Sequence, residues 1–280
     1  MHTCLFLPAS GASLAPVADP THVLSDLRDE GEDLDERVSG LADSGWAMPT
    51  PAQGWTIAHQ IGHLAATDRQ ALVAVTEPEL FTARRDGALA SPDSLDAYVN
   101  ESAGQGAELP PTELLAQWRA TRSALLAALA AQPPGARFPW FGPPMSTASM
   151  ATGRLMETWA HGQDVVDTLG VRREPTARLR HVARIGVRTR DFAYAQRGLE
   201  PPTEEFRVEL TSPDGELWTY GPEDAEQRAT GPALDFCLLA TRRRHRADLA
   251  LRAEGTDADQ WLDIAQAFAG APGTGREPRG

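Results

Sequence analysis

Residues 154–169 read Arg154-Leu-Met-Glu-Thr-Trp-Ala-His-Gly-Gln-Asp-Val-Val-Asp-Thr-Leu169, and Gly170 follows. The run has the apolar period of a helix of about four turns, and Gly170 suits the C′ position that ends one. Glu157 and His161 are four apart, so they lie one above the other on a single face. At about 100° per residue, Arg154, Asp164 and Thr168 share that side. Leu155, Trp159, Val166 and Leu169 take the opposite side. A carboxylate and an imidazole so spaced supply two thirds of a 2-His-1-carboxylate metal site. The helix backbone fixes their separation, so little freedom is left to lose on binding a cation.

The third ligand has to come from elsewhere. Gly54-Trp-Thr-Ile-Ala-His-Gln-Ile-Gly-His-Leu-Ala-Ala-Thr-Asp68 offers it. Thr56 reads as an N-cap. His59 and His63 are again i and i+4, on one face with Ala66 and Gln70, while Ile57, Ile61, Leu64 and Leu72 take the other. If the two ligand stripes face each other, His63, Glu157 and His161 converge, with His59 one turn away. An ordinary surface helix also shows a polar stripe opposite an apolar one. Against that reading, these stripes lack the long flexible charges that coat a solvated face. Two of the seven His also sit where a second helix would have to supply ligands.

The segments 55–65 and 154–165 resemble the DinB-like four-helix metalloproteins, and within them the actinobacterial branch of mycothiol-dependent maleylpyruvate isomerases. The resemblance spans about residues 23–269, since Gly231-Pro-Ala-Leu-Asp-Phe-Cys and Ile264-Ala-Gln-Ala-Phe-Ala-Gly270 are similar to that branch as well. It implies a divalent metal, usually zinc, held by His63, Glu157 and His161. It also implies mycothiol, a low-molecular-weight thiol, as cosubstrate. One departure stands out: Asp is common in the branch where this chain has His59, so the extra imidazole reads as a group that hydrogen-bonds a ligand from behind, a base or a competing ligand.

The formal charge is −13, from 26 basic and 39 acidic residues, and every basic residue is Arg. So acidic a chain argues against nucleic acid or an anionic membrane as partner. The one basic cluster, Arg242-Arg-Arg-His-Arg246, reads as a solvated helix end. Only Cys4 and Cys237 are present. Cys237 reads as a buried small hydrophobe, and thiol chemistry would need an external thiol. No stretch has the roughly 18 apolar residues of a membrane span, and the start lacks the basic region of a signal peptide. A cytoplasmic location is the expectation.

The fold expected is mainly α: a DinB-like four-helix bundle over 19–170, then a smaller α+β domain over 171–270. A loose extension at 1–18 and a disordered tail at 271–280 flank them. Helices are expected over 19–41, 57–75 and 112–131, the last with Thr112 as N-cap. Residues 79–111 read as irregular, with one short helix near 93–102. Residues 138–145, Phe-Pro-Trp-Phe-Gly-Pro-Pro-Met, are too proline-rich for helix or central strand. They read either as a rigid plug or as a pocket wall in which Trp140, Phe141 and Met145 line a cofactor cleft. In the second domain, helices are expected over 176–198, 231–243 and 257–269, a hairpin over 206–220 and a strand over 247–253.

No G-x-G-x-x-G, Walker A or G-x-S-x-G motif is present. The resemblance implies a small-molecule enzyme in which metal-bound thiol adds to an activated double bond, giving isomerisation or, without expulsion, a conjugate. His59 could then move the proton, and Arg154 could hold a substrate carboxylate or pair with Asp164 or Glu157. The alternatives are a thiol-free Lewis-acid enzyme of secondary metabolism and a non-catalytic metal-binding module. A fourth protein ligand such as His59 would close the site and favour the module.

Overall fold

The chain divides into two compact units at Arg172/Arg173. The computed structural model describes residues 20–88, 94–270, 273 and 275–279, so the expected extension at 1–18, with Cys4, lies outside the described residues, as does part of the tail. In the first unit α1 (Pro20–Ser39) buries Val23, Leu24, Leu27, Leu34 and Val38, the stripe visible in the sequence. One turn, α2 (Asp43–Trp46), follows. Thr56, with extended backbone (φ −99°, ψ 176°), then caps α3 (Ile57–Thr76).

The segment expected to be irregular forms two helices, α4 (Pro78–Ala88) and α5 (Ser94–Ala107). One of the glycines that argue against helix here, Gly106, serves packing. A Cβ on Gly106 would lie 2.5 Å from the Gly62 Cα, so α5 crosses α3 backbone to backbone. In α6 (Pro111–Ala130) the N-cap is Pro110, not Thr112. Pro111 takes the first helical position, where a missing N–H costs nothing. The proline-rich stretch is a loop between two short antiparallel strands, β1 (Arg137–Phe138) and β2 (Met145–Ser146).

The ligand helix α7 (Thr147–Leu169) starts two turns before Arg154, because Ser146 accepts the Ser149 N–H and caps it there. It ends as expected: Gly170 is left-handed (φ 64°), and Val171 N–H reaches back to the Val166 carbonyl at 3.1 Å. The long helices pack in a ring, α1 against α6 and α7, α3 against the same two. Their core includes Leu34, Ile57, Ile61, Leu64, Trp118 and Val165. Helix α7 is buried on both sides, with Leu155, Trp159 and Val166 on one and Arg154, Thr158 and Asp164 on the other. It is therefore not the half-solvated helix that its stripes alone would allow.

In the second unit α8 (Leu179–Arg188) and α9 (Arg190–Gln196) replace the single helix expected over 176–198. The hairpin forms as expected, β3 (Arg207–Thr211) with β4 (Leu217–Tyr220), and Val208 and Leu210 face inward. A strand not foreseen, β5 (Arg228–Pro232), runs parallel to β3. It takes the start of the segment read as helix and leaves α10 (Ala233–Ala240). β6 (Arg252–Glu254) completes the sheet in the order β4-β3-β5-β6, and α11 (Thr256–Ile264) is shorter than expected. Among the described residues no helix is long and apolar enough to cross a membrane.

Candidate metal centre

The centre is built by α3 and α7 alone. The donor atoms of His63, Glu157 and His161 lie within 4.8 Å of one another. Glu157 Oε2 is 3.5 Å from His63 Nε2 and 3.2 Å from His161 Nε2. Metal–ligand bonds of about 2.0–2.2 Å in a tetrahedron put donor atoms about 3.4 Å apart, so both spacings fit one cation. The side chains are sheltered, with 9%, 23% and 13% exposure for His63, Glu157 and His161.

Hydrogen bonds fix the His161 tautomer. Thr50 Oγ1 donates to the Trp55 carbonyl at 2.9 Å and so accepts from Gln60 Nε2 at 2.8 Å. That orients the fully buried Gln60 amide with its oxygen 2.5 Å from His161 Nδ1. Only an N–H satisfies this contact, so Nδ1 carries the proton and Nε2 turns its lone pair toward Glu157. A lone pair and a carboxylate 3.2 Å apart call for a cation or a proton between them. The chemistry of the donor set therefore fits a divalent metal. His63 differs, because its Nδ1 is buried without a hydrogen-bond partner.

Glu157 feels opposing influences. Burial raises its pKa, but the hydrogen bonds and charges that His161 and His63 bring when a second proton makes each ring cationic outweigh burial and hold the carboxyl well below its ordinary range. Trp55 covers the site. Its ring centroid lies 5.4 Å from that of His63 and 5.9 Å from that of His161, and Nε1 donates to Asn100 Oδ1 at 2.9 Å.

The other sequence candidates fall elsewhere. His59 is not in the donor cluster. Its Nδ1 accepts the Thr56 N–H at 3.3 Å, which leaves the proton of the neutral ring on Nε2. Burial lowers its pKa, favouring that neutral form. Arg154 does not face a ligand. It is buried, with Nε donating to Asp68 Oδ1 at 2.8 Å and Nη2 to Thr67 Oγ1 at 2.7 Å, so its partner is neither Asp164 nor Glu157. Trp118 Nε1 donates to the other Asp68 oxygen at 3.2 Å. Trp140 stacks on Phe81 (5.5 Å, 4°), and Met145 reaches the backbone of α7 at Gly153, one turn before Glu157.

Sequence reading missed Gln60, Thr50, Trp55 and the Asp68 partnership. Gln60 carried a signal: an amide within an apolar stripe is buried, and a buried amide needs partners.

Residues 27–166 match the mycothiol maleylpyruvate isomerase N-terminal domain family, and residues 202–254 match a family described as wyosine base formation. Two uncharacterized proteins of Mycobacterium tuberculosis, from strains CDC 1551 / Oshkosh and ATCC 25618 / H37Rv, are each 55% identical over 260 residues, covering 93% of this chain and 100% of theirs. The crystal structure of the mycothiol-dependent maleylpyruvate isomerase has the same fold, with TM-score 0.53 and 18% identity over 80% of this chain and 90% of that one. A histidine-to-alanine mutant of that isomerase gives TM-score 0.54 and 17% identity over the same shares.

Proposed function

The chain belongs to the mycothiol maleylpyruvate isomerase family, and we propose that it is a metal-dependent enzyme using mycothiol or a similar small thiol to isomerise, or add to, a small unsaturated acid. One observation carries the reading: His63, Glu157 and His161 present three donor atoms within 4.8 Å of one another. Three protein ligands with a further position free is the catalytic pattern for zinc, and N and O donors also admit Ni, Fe(II), Mn or Co.

A divalent metal bound there would supply one thing, a lowered pKa for a coordinated thiol. The chain's own Cys237 offers no thiolate, since burial pushes its thiol far up. The external thiolate adds to the alkene carbon β to a carbonyl, and the π electrons move onto the carbonyl oxygen. After rotation about the new single bond those electrons return, the C–S bond breaks, and thiolate and trans product leave. A proton captured before expulsion leaves a conjugate instead. Water supplies that proton, and the His59 Nε2–H is a hydrogen-bond donor for the charged carbonyl oxygen. Trp55 shelters the site, and Trp140, with Met145, belongs to the substrate-side wall. Arg154 serves as a positioning residue: it ties α7 to Asp68 and Thr67, and Thr67 Oγ1 bonds the His63 carbonyl at 2.8 Å.

Elemental analysis tests the ligands. Stoichiometric metal is expected in the wild type and should be lost in His63→Ala and Glu157→Ala; metal persisting in both variants removes the assignment. Metal-loaded protein is then given a conjugated cis-enoyl acid with and without mycothiol. Equal turnover without thiol points to a Lewis-acid enzyme. No turnover in either arm points to a metal-binding module.

A further inference from the structure

Trp55 is held firmly at its backbone and lightly at its ring. The Trp55 carbonyl accepts the Thr50 N–H at 2.7 Å and Thr50 Oγ1 at 2.9 Å, and the Trp55 N–H donates to the Ala52 carbonyl at 3.0 Å. Gly54 before it is left-handed (φ 78°), a conformation that a side chain would strain. Thr56 after it caps α3. The backbone at the foot of the indole is therefore fixed, and only the side-chain torsions are free to move the ring.

The indole packs on three imidazoles, with centroids 5.4 Å from His63, 5.9 Å from His161 and 6.4 Å from His59. The His63 and His161 rings are 4.5 Å apart, so the indole makes a triangle with the two ligand rings. It is half-buried, whereas the His63 and His161 side chains beside it are 9% and 13% exposed.

The polar tie of the ring, Nε1–H to Asn100 Oδ1 at 2.9 Å, is exposed. A hydrogen bond within reach of water is a weak hold, because water takes the place of either partner as the bond opens. Asn100 belongs to α5, which contributes no donor to the cluster. Breaking this one bond and turning the ring uncovers the ligand imidazoles without disturbing the backbone bonds at Thr50 and Ala52.

We propose that Trp55 is a swinging gate over the metal centre and Asn100 its latch, so that α5 sets the rate at which a cation and its further ligand reach His63, Glu157 and His161. This rests on the metal centre of the proposed function and adds the residues that govern access to it. A gate speeds or slows entry and exit alike, because one barrier stands on both paths. A residue that merely props the ligands changes how long the cation stays.

The probe is cobalt(II), its visible absorption followed by stopped flow during uptake by the full-length protein and during loss to excess EDTA. Asn100→Ala removes the acceptor of the latch, and Trp55→Phe removes the donor while keeping a ring. In each, uptake and loss should both speed up about five-fold, or ~1 kcal/mol, with Kd within about two-fold of the wild type. The double variant should be no faster than either single one, since both remove the same bond. Unchanged rates with stoichiometric cobalt overturn the gate and leave the proposed function standing. Faster loss without faster uptake also overturns it, by making Trp55 a prop. Effects that multiply in the double variant overturn the latch. No cobalt uptake by the wild type overturns the metal centre, and the gate with it.

Discussion

Helices α3 and α7 meet along two polar seams about one turn apart, and the seams are built on opposite principles. In the Asp68–Arg154 seam both carboxylate oxygens have donors and the charges cancel; the side chains are 5% and 4% exposed. In the His63–Glu157–His161 seam the acceptor atoms converge on one another. A closed pair of charges locks two helices and does nothing else. Converging donor atoms leave a job for something the chain does not contain. Both seams mix carboxylates with cationic or imidazole partners, so residue type alone does not tell them apart; completeness of pairing does.

The largest effect should come from breaking the lock. Asp68→Ala leaves a buried guanidinium unpaired, and a loss of about 3–5 kcal/mol in urea unfolding is expected. The double variant Asp68→Leu/Arg154→Met should recover much of that loss. If Asp68→Ala costs under about 1 kcal/mol, the lock is only a surface-type pair.

Next is the open seam. Saturating metal should raise wild-type stability by about 2.7 kcal/mol at a hundred-fold excess over Kd. A chelator should remove that gain, and Glu157→Ala should show none. Metal-linked stabilisation of similar size in Glu157→Ala would mean that the cation binds elsewhere.

A smaller change should follow Gln60→Leu. Losing the partner of a ligand imidazole weakens metal binding by about 10–100-fold. Nitrogen-15 shifts of His161 in the metal-free protein should show Nδ1–H in the wild type and a tautomer mixture in the variant. An unchanged tautomer would remove Gln60 as its determinant.

The smallest effect concerns pH. The Glu157 carboxyl is held below its ordinary value of 4.5. It therefore binds a proton less readily folded than unfolded, and it adds stability that is full above the unfolded pKa. That stability is lost as pH falls through the folded value. Metal-free Glu157→Gln should unfold with a shallower acid limb than the wild type, and an identical limb would contradict the shift.

What was legible in the sequence was local. Helical period, Thr56, Gly170 and the Pro-Asp-Gly turn marked α3, the end of α7 and the β3–β4 hairpin, because caps and turns act within a few residues. The i, i+4 spacing placed Glu157 beside His161, because a helix has one geometry; the same spacing at His59 and His63 brought only His63 into the cluster. What misled were residues whose local preference is overridden by a neighbour. Gly106 reads as a breaker, yet the close crossing at Gly62 gives it a place in α5. Residues 228–232 form a strand only because β3 lies alongside.

The sequence by itself thus determined which helices carry donors and which atoms can bind a cation, since these follow from residue type and the fixed rise and turn of a helix. Tertiary structure alone decided how those atoms are used. Arg154 and Glu157 share a face of α7, yet Asp68 takes the guanidinium while the carboxylate stays with the imidazoles. Gln60 reaches His161 only across 101 residues of chain. Pairing inside a bundle depends on the packing of distant segments, and no local spacing encodes it.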